Sequence, residues 1–453
     1  MIIRLIVQNV YSFFESKEFN MLPRPKIRTP EGHKYSLNGV ELLKLSAIYG
    51  ANAAGKSNLV KALRLLQGLA IGKISGNKAY EKRFKFDLSK PVHQVLSVEF
   101  VQESTSYYYG IEVVDGVIVT EELYRSGLGK TEDILLFERK ETEGGKPQLT
   151  FLNAFEQDAK SQLLKSILIE EFLDRSKTIL PWLARRDNPH LSEVKTALHW
   201  FENTLQIITP NSKPAALAHR LDFDQSFKTF THDTLCAYNL GITKIEVEKK
   251  PIEEIVGGEN DEALSVIQDR FSEEKEGFLV LRNRGGDELI VVKENDQLVG
   301  KQLRVTQSDK GGHLAEFDLD ELSDGTIRLL DFMPAFRDVV LKPKVYVVDE
   351  LERSMHPILA KELVTKFSQD KETKGQLILT THESNLLDQS IFRQDEIWFA
   401  EKGPTGSTDL YSLSDFKEHN TIDVRKGYLN GRYGAVPFLA NLQELNWHAY
   451  DTH

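Results

Sequence analysis

The sequence predicts an α/β fold that consists of a mixed sheet with flanking helices, an antiparallel β subdomain and a mainly helical insertion. A glycine-containing loop at residues 50–57 lies between an apolar run and a segment with helical periodicity. Two later apolar runs, at residues 345–348 and 376–381, end in acidic side chains and in a histidine, as buried parallel strands do at a ligand-binding edge. Residues 84–140 are rich in β-branched and aromatic residues between polar turns, which is typical of an antiparallel meander.

The composition is that of a soluble globular protein, with 40% apolar and 28% charged residues. The 453 residues suggest two or three domains or one domain with an insertion, and we place the boundaries at 1–150, 151–310 and 311–453. The net charge of −11 weighs against a uniformly basic nucleic-acid-binding protein. No apolar run approaches the roughly 18 residues of a membrane span. We expect a cytoplasmic protein without a disulfide framework, its one cysteine, Cys236, being buried as a small apolar residue.

The first predicted elements surround the glycine loop. Residues 2–8 predict a strand, and residues 41–49 predict a strand that leads into the loop. From Ser57 onward, apolar residues follow the spacing i, i+3, i+4 and i+7 of one helix face: Leu59, Ala62, Leu63 and Leu66. Strand, glycine turn and helix start form the context that a phosphate-binding loop needs.

The middle of the chain alternates between two kinds of pattern. Three consecutive tyrosines, at 107–109, alternate faces in a strand, so we expect them to pack rather than to stack on bases. Residues 153–206 carry mostly helical spacing, and residues 278–306 return to strand patterning.

The glycine loop fits the spacing G-x-x-x-x-G-K-[S/T]. Glycines let the backbone wrap around an oxyanion, and the helix that follows adds its partial positive charge. Lys56 can reach the β- and γ-phosphates, and the Ser57 hydroxyl can ligate Mg²⁺. We predict that a nucleotide is bound by eight residues: Gly50, Asn52, Ala53, Ala54, Gly55, Lys56, Ser57 and Asn58.

Two polar strand ends supply candidate catalytic groups. Asp349 and Glu350 follow the apolar run Val345–Val348, where Asp349 can hold Mg²⁺ and Glu350 can orient or deprotonate a water molecule. His382 follows the second run and can contact the γ-phosphate and the attacking water. We predict Glu350, His382 and Lys56 as catalytic residues, with Ser57 and Asp349 as metal ligands.

A third motif precedes the Asp-Glu strand. The residues Leu322-Ser323-Asp324-Gly325-Thr326 stand before an apolar helical run. Serine at such a start can cap the helix, and the exposed amide groups of a helix N-terminus attract anions. The separation from Ser323 to Asp349 and that from Asp349 to His382 each leave room for one helix and one strand. We therefore add Ser323 and Gly325 to the nucleotide-binding set.

This order of motifs is that of the ABC-type ATPases, which include the SMC-like chromosome and repair proteins. Within them, the chain resembles the AAA15-type branch, near the RloA-like and overcoming-lysogenisation-like proteins. The matching stretches are Asn9–Phe13, Gly50–Ser57, Leu322–Thr326, Val348–Pro357, Leu379–Ser384 and the tail motif Tyr428–Pro437. The resemblance implies an ABC-type ATPase head that carries a helical and β insertion.

The resemblance also implies a dimer of heads with two ATP molecules and Mg²⁺ at the interface. Each ATP would be held by Lys56 and Ser57 of one subunit and by Ser323 and Gly325 of the other. Asp324 and Thr326 depart from the transporter signature, so transport is not supported. The glutamine that senses Mg²⁺ in such proteins is not assigned, with Gln94 and Gln102 as candidates.

Relatives of this kind serve bacterial antiphage systems, so the resemblance implies a sensor or scaffold ATPase that controls a separate nuclease or toxin effector. The alternative is an SMC-like DNA-binding or repair ATPase that clamps DNA, with nucleic acid as its partner. In either case we expect a homodimer or a higher oligomer, formed through the ATP interface. The sequence leaves open the effector, the trigger and the role of the tail motif.

Overall fold

A computed structural model describes residues 1–142, 144–145, 147–214, 216–256, 261–273, 278–282, 288–294, 297–416 and 422–436. The strands are β1 Ile2–Gln8, β2 Lys17–Asn20, β3 Lys34–Leu37, β4 Val40–Leu43, β5 Leu45–Tyr49, β6 His93–Gln102, β7 Thr105–Val114, β8 Val117–Arg125, β9 Ile134–Glu141, β10 Pro147–Phe151, β11 Leu205–Ile208, β12 Ile242–Pro251, β13 Phe278–Arg282, β14 Glu288–Glu294, β15 Gln297–Ser308, β16 Leu314–Phe317, β17 Val345–Val348, β18 Gln376–Thr380, β19 Ile397–Lys402 and β20 Thr408–Ser412.

The α-helices are α1 Lys56–Ala70, α2 Gly76–Tyr80, α3 Asn153–Glu156, α4 Ala159–Ile167, α5 Leu180–Ala184, α6 Ser192–His199, α7 Leu217–Phe223, α8 Gln225–Ala237, α9 Ile252–Val256, α10 Asp261–Glu273, α11 Asp324–Leu341, α12 Pro357–Gln369 and α13 Val424–Leu429. Two π-helical turns, Leu168–Phe172 and Trp200–Thr204, extend α4 and α6. In the described part of the chain, no helix is both long enough and apolar enough to cross a bilayer.

The chain divides into two compact units. The first comprises residues 1–210, 342–351 and 363–453, and the second comprises residues 211–341 and 352–362. Both contain sheets and helices, so the predicted α/β fold with a mixed sheet and an antiparallel subdomain is confirmed. The domain boundaries at 150 and 310 stay predictions.

A six-stranded mixed sheet forms the base of the first unit. Its order is β11-β17-β18-β5-β19-β20, and all neighbours run parallel except β19 and β20. Every residue of β5, β17 and β18 is buried, because both faces of a parallel sheet are covered. The register pairs Val348 with Leu379 and Thr380 with Ile48. The three strands therefore end at one edge, where the glycine loop, Asp349 and His382 begin.

The prediction of a single strand over residues 41–49 is wrong, because the structure contains two strands there. The structure breaks it at Lys44 into β4, which pairs with β3, and β5, which enters the main sheet. At the break, the buried Lys44 ammonium donates to the carbonyl groups of Phe367 and Asp370 at the end of α12. Burial lowers the pKa of Lys44 to about 8. A strand still leads into the loop, as predicted, but it is β5 alone.

The predicted meander is confirmed as part of a seven-stranded antiparallel sheet with the order β10-β9-β8-β7-β6-β1-β2. Tyr107 and Tyr109 are buried in it, so these rings pack as expected. The buried Glu121 carboxylate accepts hydrogen bonds from the Tyr109 hydroxyl and from the amides of Ile179 and Leu180. Burial raises the pKa of Glu121. The bonds to the amides tie the start of α5 to the meander.

The second unit contains a five-stranded antiparallel sheet in the order β12-β15-β14-β13, with β16 paired to β15. Helices α7 and α8 pack with β12 in this unit. The expectation that Cys236 is buried is wrong, because this residue lies in the last turn of α8 with its side chain exposed. Its thiol is held at the surface by a contact of 3.3 Å from Sγ to the carbonyl oxygen of Ile242.

Candidate functional site

The glycine loop has a backbone that side chains would obstruct. Gly55 has φ 114°, and a Cβ at this position would lie 2.7 Å from Cγ2 of Thr408. A Cβ at Gly50 would overlap the carbonyl oxygen of Ala400. Ala53, at the tip of the loop, has φ 64°. Both glycines are therefore required by close approaches of the β19–β20 hairpin and not by the turn alone.

Helix α1 begins directly after Gly55 and presents an uncapped N-terminus. The residue at its N-cap is Gly55, no side chain caps this helix, and its first turn contains no acidic residue. The first amide groups of a helix have no acceptor within the helix, and the helix dipole adds positive potential there. An anion is the natural partner of such an end, so the structure fits a phosphate at this loop.

Lys56 adds a buried positive charge to the loop. Its side chain is only 4% exposed, and its ammonium donates to the carbonyl oxygens of Gly50 at 2.8 Å and Ala51 at 3.2 Å. The same ammonium lies 3.0 Å from Nε2 of His382. The lysine therefore curls back over its own loop and meets the histidine from the end of β18. This places two of the three predicted catalytic side chains together.

Two hydroxyl groups converge on Asp349. Ser57 Oγ donates to Asp349 Oδ1 at 2.9 Å, and Thr380 Oγ1 donates to the same oxygen at 2.7 Å. Asp349 is 4% exposed. A hydroxyl and a carboxylate side by side are hard oxygen donors of the kind that Mg²⁺ prefers. The predicted metal ligands are therefore adjacent, and their chemistry fits Mg²⁺.

Glu350 occupies a constrained backbone position next to Asp349. Its φ is 51°, in the left-handed region that residues with a side chain rarely adopt. Its amide donates to Thr380 Oγ1 at 2.9 Å, which fixes the turn. A left-handed non-glycine residue costs about 1–3 kcal/mol and is retained where the surroundings demand it. Glu350 is thus held at the strand end that carries the metal ligand.

Ser12 and Thr408 support the loop, and sequence reasoning did not single them out. Thr408 Oγ1 contacts the carbonyl oxygen of Ala54 at 2.8 Å and Ser12 Oγ at 2.7 Å. Asn58, a predicted site residue, donates to Ser12 Oγ at 2.8 Å. Ser12 belongs to the matching stretch Asn9–Phe13, which was a usable signal. Thr408 comes from a hairpin far along the chain and offered none.

The other predicted site residues occupy different surroundings. Asn52 and Ala53 are exposed, whereas Ala54 is buried. Ser323 and Gly325 belong to the second unit, at the start of α11. Ser323 Oγ accepts a hydrogen bond from the Thr326 amide at 3.2 Å, so the predicted helix cap is confirmed. A Cβ at Gly325 would lie 2.7 Å from the carbonyl oxygen of Ser354. That Ser323 and Gly325 complete the glycine loop of another subunit stays a prediction.

Neither glutamine candidate is assigned to the metal. Gln94 is buried and donates to the carbonyl oxygen of Ala79 at 3.0 Å. Gln102 accepts a hydrogen bond from Thr204 Oγ1 at 3.0 Å. Both amides hold neighbouring segments together, and the identity of the Mg²⁺-sensing residue stays open.

The tail motif packs behind the strand that leads into the glycine loop. The rings of Tyr428 and Tyr433 lie nearly parallel to that of Phe399, with centroids 5.7 and 5.6 Å away. Phe399 is paired in register with Tyr49, the residue before Gly50. Tyr49 also contacts the Tyr428 ring edge-on at 6.1 Å. The motif, described up to Val436, therefore supports the start of the loop.

Comparison with known proteins gives a family match. The model of the family described as "AAA domain, putative AbiEii toxin, Type IV TA system" matches residues 45–388, which include the glycine loop, Asp349, Glu350 and His382. None of the curated proteins compared with the chain matches it.

Among solved structures, the chain is similar to three SMC heads. One is the SMC head domain from Thermotoga maritima, with 11% identity, coverage of 91% of this chain and 98% of that chain, and a TM-score of 0.37. The second is the SmcHead bound to the C-winged helix domain of ScpA, with 13% identity, coverage of 92% and 99%, and a TM-score of 0.40. The third is the Smc head domain with an extended coiled coil bound to the C-terminal domain of ScpA derived from Pyrococcus furiosus, with 11% identity, coverage of 92% and 97%, and a TM-score of 0.40.

We expect Thr408→Val to weaken ATP binding about tenfold, and to lower the free energy of unfolding by about 1–3 kcal/mol. Valine keeps the shape of the side chain but leaves the carbonyl group of Ala54 and the hydroxyl of Ser12 without this partner. Titration calorimetry with ATP and urea denaturation measure the two effects. Thr405→Val, in the exposed turn of the same hairpin, is the matched control. Equal ATP affinity in both variants would contradict a role of Thr408 in shaping the loop.

Proposed function

The chain belongs to the AAA-domain family whose model it matches, and we propose that it is a cytoplasmic ATPase that binds and hydrolyses ATP between two heads. The pairing of Ser57 with Asp349 beside the Lys56 ammonium carries this proposal. A phosphate-binding loop, a pair of hard oxygen ligands and a carboxylate next to them are the parts that phosphoryl transfer to water needs. We also propose that the chain belongs to the AAA15-type branch of the ABC-type, SMC-like ATPases, because its motif stretches and its tail Tyr428–Pro437 resemble that branch.

The residues of the site have different roles in ATP hydrolysis. The loop amides and Lys56 bind the phosphates, and Ser57 and Asp349 hold the metal. A Mg²⁺ ion held by these two residues would supply positive charge against the phosphates. Glu350 accepts a proton from the attacking water, and His382 holds that water near the γ-phosphate. Because Lys56 already contacts His382, a phosphate that enters the loop meets both side chains together.

The second half of the site is proposed to come from another subunit. Ser323 and Gly325 stand at the start of α11, a helix of 18 residues, where the amide groups and the dipole favour a phosphate and the Asp324 carboxylate in the first turn opposes it. Gly325 has no side chain to block that approach. ATP would thus join two copies of the chain, and hydrolysis would release them.

In the cell, we propose that this cycle controls a separate effector, a nuclease or a toxin, in a bacterial antiphage system. The support is the family description, which names a putative toxin and a type IV toxin–antitoxin system, and the resemblance of the motifs. The chain itself acts as the sensor or scaffold whose ATP state holds or frees that effector.

Two variants separate ATP binding from ATP hydrolysis. Lys56→Ala removes a buried charge that the phosphates need, so we expect about a hundredfold weaker ATP binding. Glu350→Gln removes the proton acceptor, so we expect ATP to bind with normal affinity while kcat falls by about 10²–10⁴. Calorimetry and a phosphate-release assay measure the two quantities.

The control for Glu350→Gln is Glu372→Gln, which makes the same charge change at an exposed position. It should leave both binding and turnover unchanged. Wild-type turnover in Lys56→Ala and in Glu350→Gln would show that the site does not hydrolyse ATP.

The effector proposal predicts a nucleotide-dependent complex. When the tagged chain is purified from its native host, we expect it to retain the product of a neighbouring gene, and the Glu350→Gln variant with ATP should retain more of it than Lys56→Ala. Mass spectrometry of the eluates measures this difference. Growth arrest on expression of the chain alone, without any neighbour, would instead make the chain itself the toxin.

A further inference from the structure

Residues 78–90 carry an unusual concentration of positive charge. They include five basic residues, Lys78, Lys82, Arg83, Lys85 and Lys90, and two acidic ones, which gives a net charge of +3 in a chain whose net charge is −11. Most of this segment is exposed. An acidic protein that concentrates lysines in one exposed segment has a local field suited to an anionic partner.

Aromatic rings are interleaved with these lysines. Phe86 is 68% exposed and Phe14 is 42% exposed, and both rings pack on the buried ring of Phe84, with centroid distances of 5.6 and 5.4 Å. Phe86 also lies against the turn at Gly406, where an added Cβ would come within 3.0 Å of the ring. The buried Phe84 ring therefore holds both exposed rings in place.

The segment is fixed to residues 9–11, which directly follow β1. The Tyr11 amide donates to the carbonyl oxygen of Lys82 at 2.6 Å, and Asn9 Nδ2 donates to Asp87 Oδ2 at 2.7 Å. Val10 and Arg83 form an isolated bridge. These contacts hold the backbone that carries the rings and lysines in a defined position.

The acidic residues of the segment are engaged locally. Glu81 forms an ion pair with Lys78 at 2.9 Å. Hydrogen bonds from the Ser89 hydroxyl, from the Ser89 amide and from Asn9 lower the pKa of Asp87. Lys82 and Lys90 remain exposed, and Lys85 donates to the Glu81 carbonyl oxygen with its side chain at the surface.

We propose that the surface formed by Phe14, Phe86, Lys82, Lys85 and Lys90, here called the aromatic–basic surface, binds single-stranded nucleic acid. Unpaired bases stack on exposed rings at about 1–3 kcal/mol per base, and a basic track binds the backbone between them. A duplex hides the faces of its bases, so the exposed rings select a single strand.

A nucleotide in the glycine loop is a weaker match to this surface. Its phosphates lie at Lys56, so it would leave Lys82, Lys85 and Lys90 without a phosphate. A strand supplies one phosphate for each base, which suits rings and lysines that alternate along a segment. The aromatic–basic surface therefore extends beyond what ATP binding uses.

The test is fluorescence anisotropy of the full chain, without ATP, with a labelled single-stranded oligonucleotide of about 12 nucleotides, a length within the range of known single-strand sites. We expect Phe86→Ala to weaken binding by about five- to a hundredfold. We expect Lys82→Glu with Lys85→Glu to reduce the slope of log affinity on log salt by about 0.7 for each phosphate that the variant no longer neutralises. The affinity for ATP should not change.

One control matches Phe86 in exposure, and the other, at an exposed lysine, makes half the charge change of the double lysine variant. Phe223 of the second unit is 66% exposed, close to the 68% of Phe86, and Phe223→Ala should leave oligonucleotide binding unchanged. Lys195→Glu should likewise leave the salt dependence unchanged.

Several results would overturn the proposal. They are no oligonucleotide binding by the wild-type chain, equal binding by Phe86→Ala, equal binding of a duplex of the same length, or Phe86-dependent binding to anionic vesicles in place of the strand. A loss of ATP affinity in Phe86→Ala would assign the ring to ATP instead. Because the assay contains no ATP, a failure of the proposed ATPase activity would leave this measurement unaffected.

Discussion

Two hydroxyl groups that donate to one carboxylate oxygen hold the site together. Ser57 and Thr380 both bond Asp349 Oδ1, although the three residues are far apart in the chain. They meet because β5, β18 and β17 are neighbours in one parallel sheet and end at the same edge. A slip of register by one residue would turn Thr380 to the other face and separate these groups. The buried apolar strands thus set the geometry of the polar site.

The sequence could predict the parts of the site that are local in the chain. The glycine spacing, the acidic strand end and His382 each follow a buried run, and the structure brings them to one edge. What it could not predict depends on contacts between distant segments. Thr408 reaches Ala54 because β19 and β20 join β5 in the sheet, and the break of the predicted strand at Lys44 occurs where its ammonium bonds the distant end of α12.

The tail motif and the aromatic–basic surface each contact a segment close to the glycine loop. Tyr428 and Tyr433 support Phe399, which is paired with Tyr49 immediately before Gly50. The segment 78–90 accepts hydrogen bonds from the Tyr11 amide at the Lys82 carbonyl oxygen and from the Asn9 side chain at the Asp87 carboxylate. Both regions are thus joined to the surroundings of the phosphate loop, the first by ring packing and the second by hydrogen bonds.

The central claim is that each ATP site is shared between two copies of the chain. Its most direct test combines two variants of the chain in one dimer. Lys56→Ala removes the phosphate-binding charge of the loop, and Ser323→Arg blocks the start of α11 with a large side chain. Each variant alone should hydrolyse almost no ATP. Differently tagged copies, co-expressed and purified through both tags, should regain up to about half of the wild-type ATPase activity, because one site in the mixed dimer is intact. Mixed dimers that form but remain as inactive as the separate variants would contradict a shared site.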